Sequence, residues 1–332
     1  MALHHDLGPF IRVWGIPLDR LPGNDSRELA PFTQAVLTEA IALLDGVAPK
    51  IPSADDGTRV TTKPWDHDHQ IKKFPDSAAS VHLNSRRIPA DLLRGVARAN
   101  PGSHAPPADR IRAETWVARV SVHEDAAQRG TASWGEFYDA VKVRHAESER
   151  DFTPSIMGMR TAREWDCGGL ELKGGKHSWG EVTCRIVESK HLMPVGMSRR
   201  IFAVVQMTAA VKDTDEKEFV VVSIPVRDFE HAPETQFFRE SGGVVGCYAA
   251  VERVRRLPGG PTEWVMATAS EARGYLPSWL QARAVPGQIA KDVPLFLAWA
   301  DRQRHKWGRR GPHEDEDPFA DGAHPGNHAR NG

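Results

Sequence analysis

Apolar and polar positions alternate along residues 114–123. Trp116, Ala118, Val120 and Val122 fall on one side, and Arg119, Ser121 and His123 on the other. That period of two predicts a strand. Six further segments read as strands: 156–165, 179–189, 199–211, 218–226, 247–257 and 262–270. Gly168-Gly169, Gly174-Gly175, Asp213–Lys217 and Pro258-Gly259-Gly260 punctuate them. Short turns of this kind predict antiparallel pairing, because a parallel pair needs a long crossover.

Helical spacing appears at four places. Over 25–46, Asp25 and Glu28 have the spacing of a capping box, and Phe32, Val36, Leu37, Ala40, Ile41 and Leu44 line one face. A short helix is expected near Pro89–Arg98. Ser133 and Glu136 form a second capping box, ahead of a helix predicted to run to about Arg150. The last helix opens at Pro277 and Trp279 and continues to about His305, with Ile289, Val293, Phe296, Leu297 and Ala300 on its apolar stripe. Pro294 cannot donate to the Ala290 carbonyl, so a bend is expected there.

The stretch 47–113 is rich in Pro, Gly, Asp and Ser. It is expected to form long loops apart from the short helix, with 99–109 as a linker or exposed loop. The expected organisation is an N-terminal helix and loop-rich extension packed on the domain (1–109), a main domain (110–308), and a disordered tail (309–332) almost without apolar residues. Strands in series followed by one long amphipathic helix make an α+β layout. A strongly twisted sheet curling around one helix tends to leave a space between them, and an apolar space is the default binding site.

The order of these features resembles the START-like, helix-grip superfamily. The carrying residues are Tyr248-Ala249-Ala250-Val251-Glu252-Arg253, Glu263-Trp264-Val265-Met266-Ala267-Thr268-Ala269-Ser270, Gly274-Tyr275-Leu276-Pro277-Ser278-Trp279-Leu280, Val285-Pro286-Gly287 and Ala290–Leu297. Upstream, Trp116–Asp125 resembles the opening strand of an uncharacterised fungal branch. The likeness spans about residues 110–305. It implies a curved antiparallel sheet wrapped around the C-terminal helix, enclosing a sterol, phospholipid, ceramide or polyketide-like molecule. Some related helix-grip proteins are cyclases.

Composition narrows the field. The 332 residues are 40% hydrophobic and 26% charged, as in a folded globular protein. A net charge of -1 offers no field for nucleic acid. Cys167, Cys184 and Cys247 follow no metal or redox spacing and read as reduced, buried thiols. The start, with His4, His5 and Asp6, does not resemble a signal peptide. The expectation is a soluble cytoplasmic monomer with no cofactor and no metal.

The residues expected to meet the ligand come from the strand faces and the last helix. Arg119 is an anchor for a carboxylate, phosphate or carbonyl if its face points inward, with Glu252 as partner, and a surface residue if it does not. His123 shares that face. Tyr248 and Glu252 on one strand, and Trp264, Met266 and Thr268 on the next, either line the pocket or form ordinary core. Gln206 interrupts an apolar strand, so it either finds a structural partner or contacts the ligand. Trp279 and Val293 complete the set from the helix. His67 and His69, flanked by Asp66 and Asp68, have the look of a metal cluster but sit in a loop-like stretch without a distant third ligand. The basic run Arg302–Arg310 complements a helix C-terminus, or makes transient membrane contact during loading. No nucleotide-binding or serine-hydrolase motif is present. The function expected is enclosure of a lipid, sterol or polyketide-like metabolite in a cavity between sheet and C-terminal helix, with transfer as one use of it and secondary metabolism as its setting. The alternative is a cofactor-independent cyclase or isomerase in the same cavity, in which Arg119, Tyr248 or Glu252 polarises a carbonyl or moves a proton. A cavity filled by its own side chains would leave a scaffold.

Overall fold

The computed structural model describes residues 7–23, 26–48, 65–102, 104–193, 198–271 and 278–309. Asp25, the Gly274–Pro277 part of the last motif and the tail from residue 310 lie outside them, as do the side chains of His67, His69 and Trp279.

The chain opens with the two-residue strand β1 (Ile16–Pro17) and helix α1 (Ser26–Val47). Strands β2 (Asp66–Lys72) and β3 (Val81–Ile88) follow, then helix α2 (Ala90–Ala99) and strand β4 (Glu114–His123). Helices α3 (Trp134–Phe137) and α4 (His145–Phe152) flank a π-helical segment, Tyr138–Val143. Next come β5 (Ile156–Trp165), β6 (Leu172–Gly174), β7 (His177–His191), β8 (Arg200–Lys212) and β9 (Glu218–Arg227). Helix α5 (Phe237–Ser241), strands β10 (Val244–Val245), β11 (Cys247–Arg256) and β12 (Thr262–Glu271), and helix α6 (Ser278–Arg309) follow within the described residues.

One curved sheet carries nearly all of it, in the order β2-β3-β4-β12-β11-β9-β8-β7-β5, with every neighbouring pair along this path antiparallel. Helix α6 lies on one face, against β3 and β4, and the helix-grip arrangement implied by the sequence is present. Helix α1 covers the opposite face, against β9, β11 and β12. Both faces of β9 are therefore buried, and its run Phe-Val-Val-Val-Ser-Ile-Pro-Val is correspondingly unbroken by charge.

Three elements differ from the sequence expectation. Residues 66–72 and 81–88, expected as loop, are sheet strands, and β3 pairs with β4 along its length. Their signal is masked because Asn84 and Arg86 are buried polar residues on β3. The helix after Ser133 does not run on to Arg150. It widens into the π segment, where the Arg144 amide bonds the Asp139 carbonyl five residues back, and Lys142 reaches the Glu181 carbonyl at 2.7 Å.

The capping box itself forms. Ser133 Oγ accepts from the Glu136 amide at 3.3 Å, and the Glu136 carboxylate accepts from the Ser133 amide at 2.8 Å. Glu136 also accepts from Arg304 Nε at 2.6 Å, tying the end of α6 to this turn. Ser133→Ala is expected to cost about 1 kcal/mol in urea unfolding; an unchanged midpoint would show the cap to be redundant.

The α1 face is one continuous apolar core, including Ile11, Val36, Leu44, Trp116, Ile186, Val205, Val222, Val251 and Val265. An ionic cluster pins the N-terminal segment to it. Arg12, fully buried, donates to Glu39 at 3.2 Å, to Glu114 at 3.4 Å and to the Gly8 carbonyl at 2.8 Å. The three cysteines are buried and free. Burial pushes the Cys167 thiol up to about 11, so it stays protonated. No helix among the described residues is long and apolar enough to cross a membrane.

Candidate functional site

Alternation along the central strands sends Val117, Arg119, Ser121 and His123 of β4 toward α6, together with Trp264 and Met266 of β12 and Tyr248, Ala250 and Glu252 of β11. Cross-strand register then sets them side by side: Met266 stands opposite both Glu252 and Arg119.

Arg119 is 1% exposed. Its guanidinium lies 3.8 Å from the Trp264 ring centroid and 3.8 Å from Glu252 Oε2. The same Glu252 oxygen accepts from Trp264 Nε1 at 2.8 Å. Arg119 Nε and Nη1 are buried and have no acceptor among the described residues. A guanidinium has five N–H donors in a fixed fork, so one charge contact at 3.8 Å leaves it short of partners.

Carboxylates outnumber the cation. Asp292 on α6 joins Glu252 around Arg119, and Glu149 on α4 interacts with both of these carboxylates. Burial, with the Glu149 and Glu252 charges added, raises Asp292 to about 7 against the pull of Arg119. Burial also raises Glu149. Tyr248 is hydrogen-bonded to Ser223, and its phenol is pushed up by burial and by the nearby Glu149 and Glu252.

The face around this cluster is not one core. Under the later part of α6 it is filled: Phe137, Trp264, Phe296 and Trp299 pack ring to ring, with Val117, Val221, Val254 and Val293. Toward β7 there is a separate small cluster of Ala146, Val187 and Val204, with Met159 and Tyr248 at its edge. Tyr248, Ala250, Glu252 and Met266 keep accessible surface, whereas their neighbours Ala249, Val251, Val265 and Ala267 on the opposite face keep none.

The expected residues thus separate. Arg119, Tyr248, Glu252, Trp264 and Met266 come together. Val293 is in the filled corner. His123 accompanies it, packed on Phe137 and Trp264 and bonded to Ser121 Oγ at 2.8 Å. Burial and the Arg119 charge hold His123 at about 4, so it is neutral. Gln206 accepts from Arg185 Nε at 3.2 Å, and Thr268 donates to the Ala249 carbonyl at 2.9 Å; register puts both on the sheet face of Ala250 and Met266.

Sequence reasoning missed Asp292 and Glu149. Asp292 carried a usable signal, since it sits three residues after Ile289 and four before Phe296, on the apolar stripe itself. Glu149 stands in the same relation to His145, which it meets at 3.5 Å.

A family model described as "Protein of unknown function (DUF3074)" matches residues 116–300. No curated protein matches the chain. Among solved structures the chain is similar to the human StarD13 (DLC2) lipid transfer and protein localization domain, at 12% identity over 71% of this chain and 88% of that one, with a TM-score of 0.43. Human STARD10 gives 9% identity over 79% and 84%, with a TM-score of 0.45. Human StAR-related lipid transfer protein 5 gives 14% over 82% and 99%, with a TM-score of 0.44.

Proposed function

Because the chain belongs to the DUF3074 family of proteins of unknown function, its role is read from its own interior, and we propose that it encloses one hydrophobic small molecule between the sheet and α6. The observation that carries this reading is the divided core of the α6 face. Met266, Ala250 and the Tyr248 ring retain accessible surface between two packed clusters. Arg119 stands at the edge of that gap with two buried N–H groups lacking acceptors among the described residues.

The apolar body of the ligand fills the gap, and burial at about 25 cal/mol per Å2 supplies most of the affinity. An oxygen of the ligand, from a carbonyl, carboxylate or phosphate, accepts from Arg119 and fixes orientation. An unpaired buried donor costs about 1–3 kcal/mol, so filling it discriminates against ligands without that oxygen. Loading and release require α6 or a neighbouring loop to move, and transfer between membranes is the role that motion suits.

Native mass spectrometry of the purified full chain tests the proposal. It should carry a noncovalent apolar molecule, and Arg119→Met should lower its occupancy about tenfold while circular dichroism is unchanged. A chain that holds nothing, or an Arg119→Met variant that holds as much, contradicts it.

Asp292 favours a second reading. A carboxylic acid that titrates near neutrality beside a guanidinium suits general acid–base catalysis. In that case Asp292→Asn abolishes turnover of the co-purifying molecule but still binds it. A carrier shows no turnover in either form.

A further inference from the structure

A pocket lies away from the proposed interior. Helix α2, residues 101–102 and 104–111 and the turn at Arg20 line this open concavity of about 420 Å3. Its wall includes Arg20, Arg94, Arg98 and His104. Beneath it, Arg227 Nη2 donates to the His104 carbonyl at 2.7 Å. Arg227 Nε is buried and has no acceptor among the described residues.

The charge here is unbalanced. Three guanidinium groups, of Arg20, Arg94 and Arg98, line the pocket, and the Arg227 charge also reaches His104. Asp91 pairs with Arg94 at 2.8 Å, and Asp19 adjoins Arg20 and acts on His104. Positive charge is left in excess. Burial, then the Arg20 and Arg227 charges, lower the His104 imidazole below the ordinary range against the smaller pull of Asp19. A neutral imidazole leaves the guanidinium excess as the charge to be met. Surface arginines in water repel one another weakly, but here they converge on one concavity from separate segments, and planar forks of this type match tetrahedral oxyanions.

We propose that this pocket binds a phosphomonoester dianion, borne by a soluble metabolite or by a lipid headgroup. The phosphate meets this positive excess, and the pocket is larger than a bare phosphate needs, leaving room for the group that carries it. The site shares no residue with the interior around Arg119, so the proposal stands whether or not that interior holds a ligand.

The test uses the full chain, glycerol 3-phosphate in calorimetry, and sedimentation with phosphatidylcholine vesicles with and without phosphatidic acid. Arg94→Gln and Arg98→Gln change partly or wholly exposed side chains and should leave the fold intact, checked by thermal melting. Each should weaken glycerol 3-phosphate binding roughly tenfold, and His104 should titrate higher when the phosphate is bound. That result places the source in solution. Vesicle binding that requires phosphatidic acid and is lost in both variants, with no glycerol 3-phosphate binding, places it in a headgroup. The proposal is overturned if neither probe binds, if vesicle binding ignores phosphatidic acid, or if both variants bind like the parent.

Discussion

Arg12→Ala is expected to lose about 3–5 kcal/mol of folding stability, a large share of what a domain possesses. Arg12 is fully buried and is the cation between Glu39 and Glu114. Those two carboxylates do more than pair with it. Glu39 accepts from the Phe10 and Ile11 amides at 2.8 and 3.0 Å. Glu114 accepts from the Val13 amide and from Trp116 Nε1, both at 2.9 Å. Removing the guanidinium strands two buried negative charges at the junction of the N-terminal segment, α1 and β4. Burial already holds Glu39 above the usual carboxylate range, so the variant should recover part of its loss at mildly acid pH, where Glu39 takes a proton. Urea unfolding at neutral pH and near pH 5 measures both effects. A loss under about 1 kcal/mol at neutral pH would mean that the segment is not held by this cluster.

Asp292→Asn should make stability less dependent on pH. The folded-state value of Asp292 is raised to about 7 from an ordinary 3.8. The folded chain therefore binds a proton that the unfolded chain releases, and wild-type stability from this group falls as pH rises from about 4 to about 7. The sign is opposite to that of a salt-bridged carboxylate such as Glu188, which the amides of Gln236 and Phe237, the Thr235 hydroxyl and Arg160 hold low in spite of burial. The amide cannot ionise, so the variant should gain on the wild type by about 2–4 kcal/mol between pH 4 and pH 8. Calorimetric melts across that range check it. A stability difference that stays flat with pH would remove Asp292 from the buried cluster.

Much of the architecture is legible in the chain because its strands obey simple patterns. β4, β11 and β12 alternate, β8 and β9 are apolar runs rich in β-branched residues, and Gly or charged turns separate them. The second cover was harder to read. The unbroken apolar run of β9 is the mark of a strand buried on both sides, yet periodicity cannot say which distant helix lies on the second face. β3 was hidden because its buried positions include Asn84 and Arg86, which follow no hydrophobic period. At the site, Arg119 and Glu252 were legible as a pair because both lie on strand faces with clear alternation. The positions of Asp292 and Glu149 depend on how two helices sit on the sheet, and only three-dimensional packing supplies that. The sequence also grouped His123, Gln206 and Thr268 with the ligand: Gln206 and Thr268 share the sheet face of Ala250, each with one partner inside the protein, and His123 bonds Ser121 while its buried Nδ1 has no partner among the described residues.

Photocrosslinking with a diazirine-bearing fatty acid, followed by peptide mapping, tests enclosure most directly. Ile71, Val122, Val143, Met157 and Leu192 are the large apolar side chains exposed to solvent among the described residues, and they serve as the outside reference. Adducts on Tyr248, Ala250 and Met266, competed away by an unlabelled hydrophobic ligand, are the predicted result. Labelling confined to the five exposed residues, or no labelling above background, would contradict an apolar molecule held between the sheet and α6.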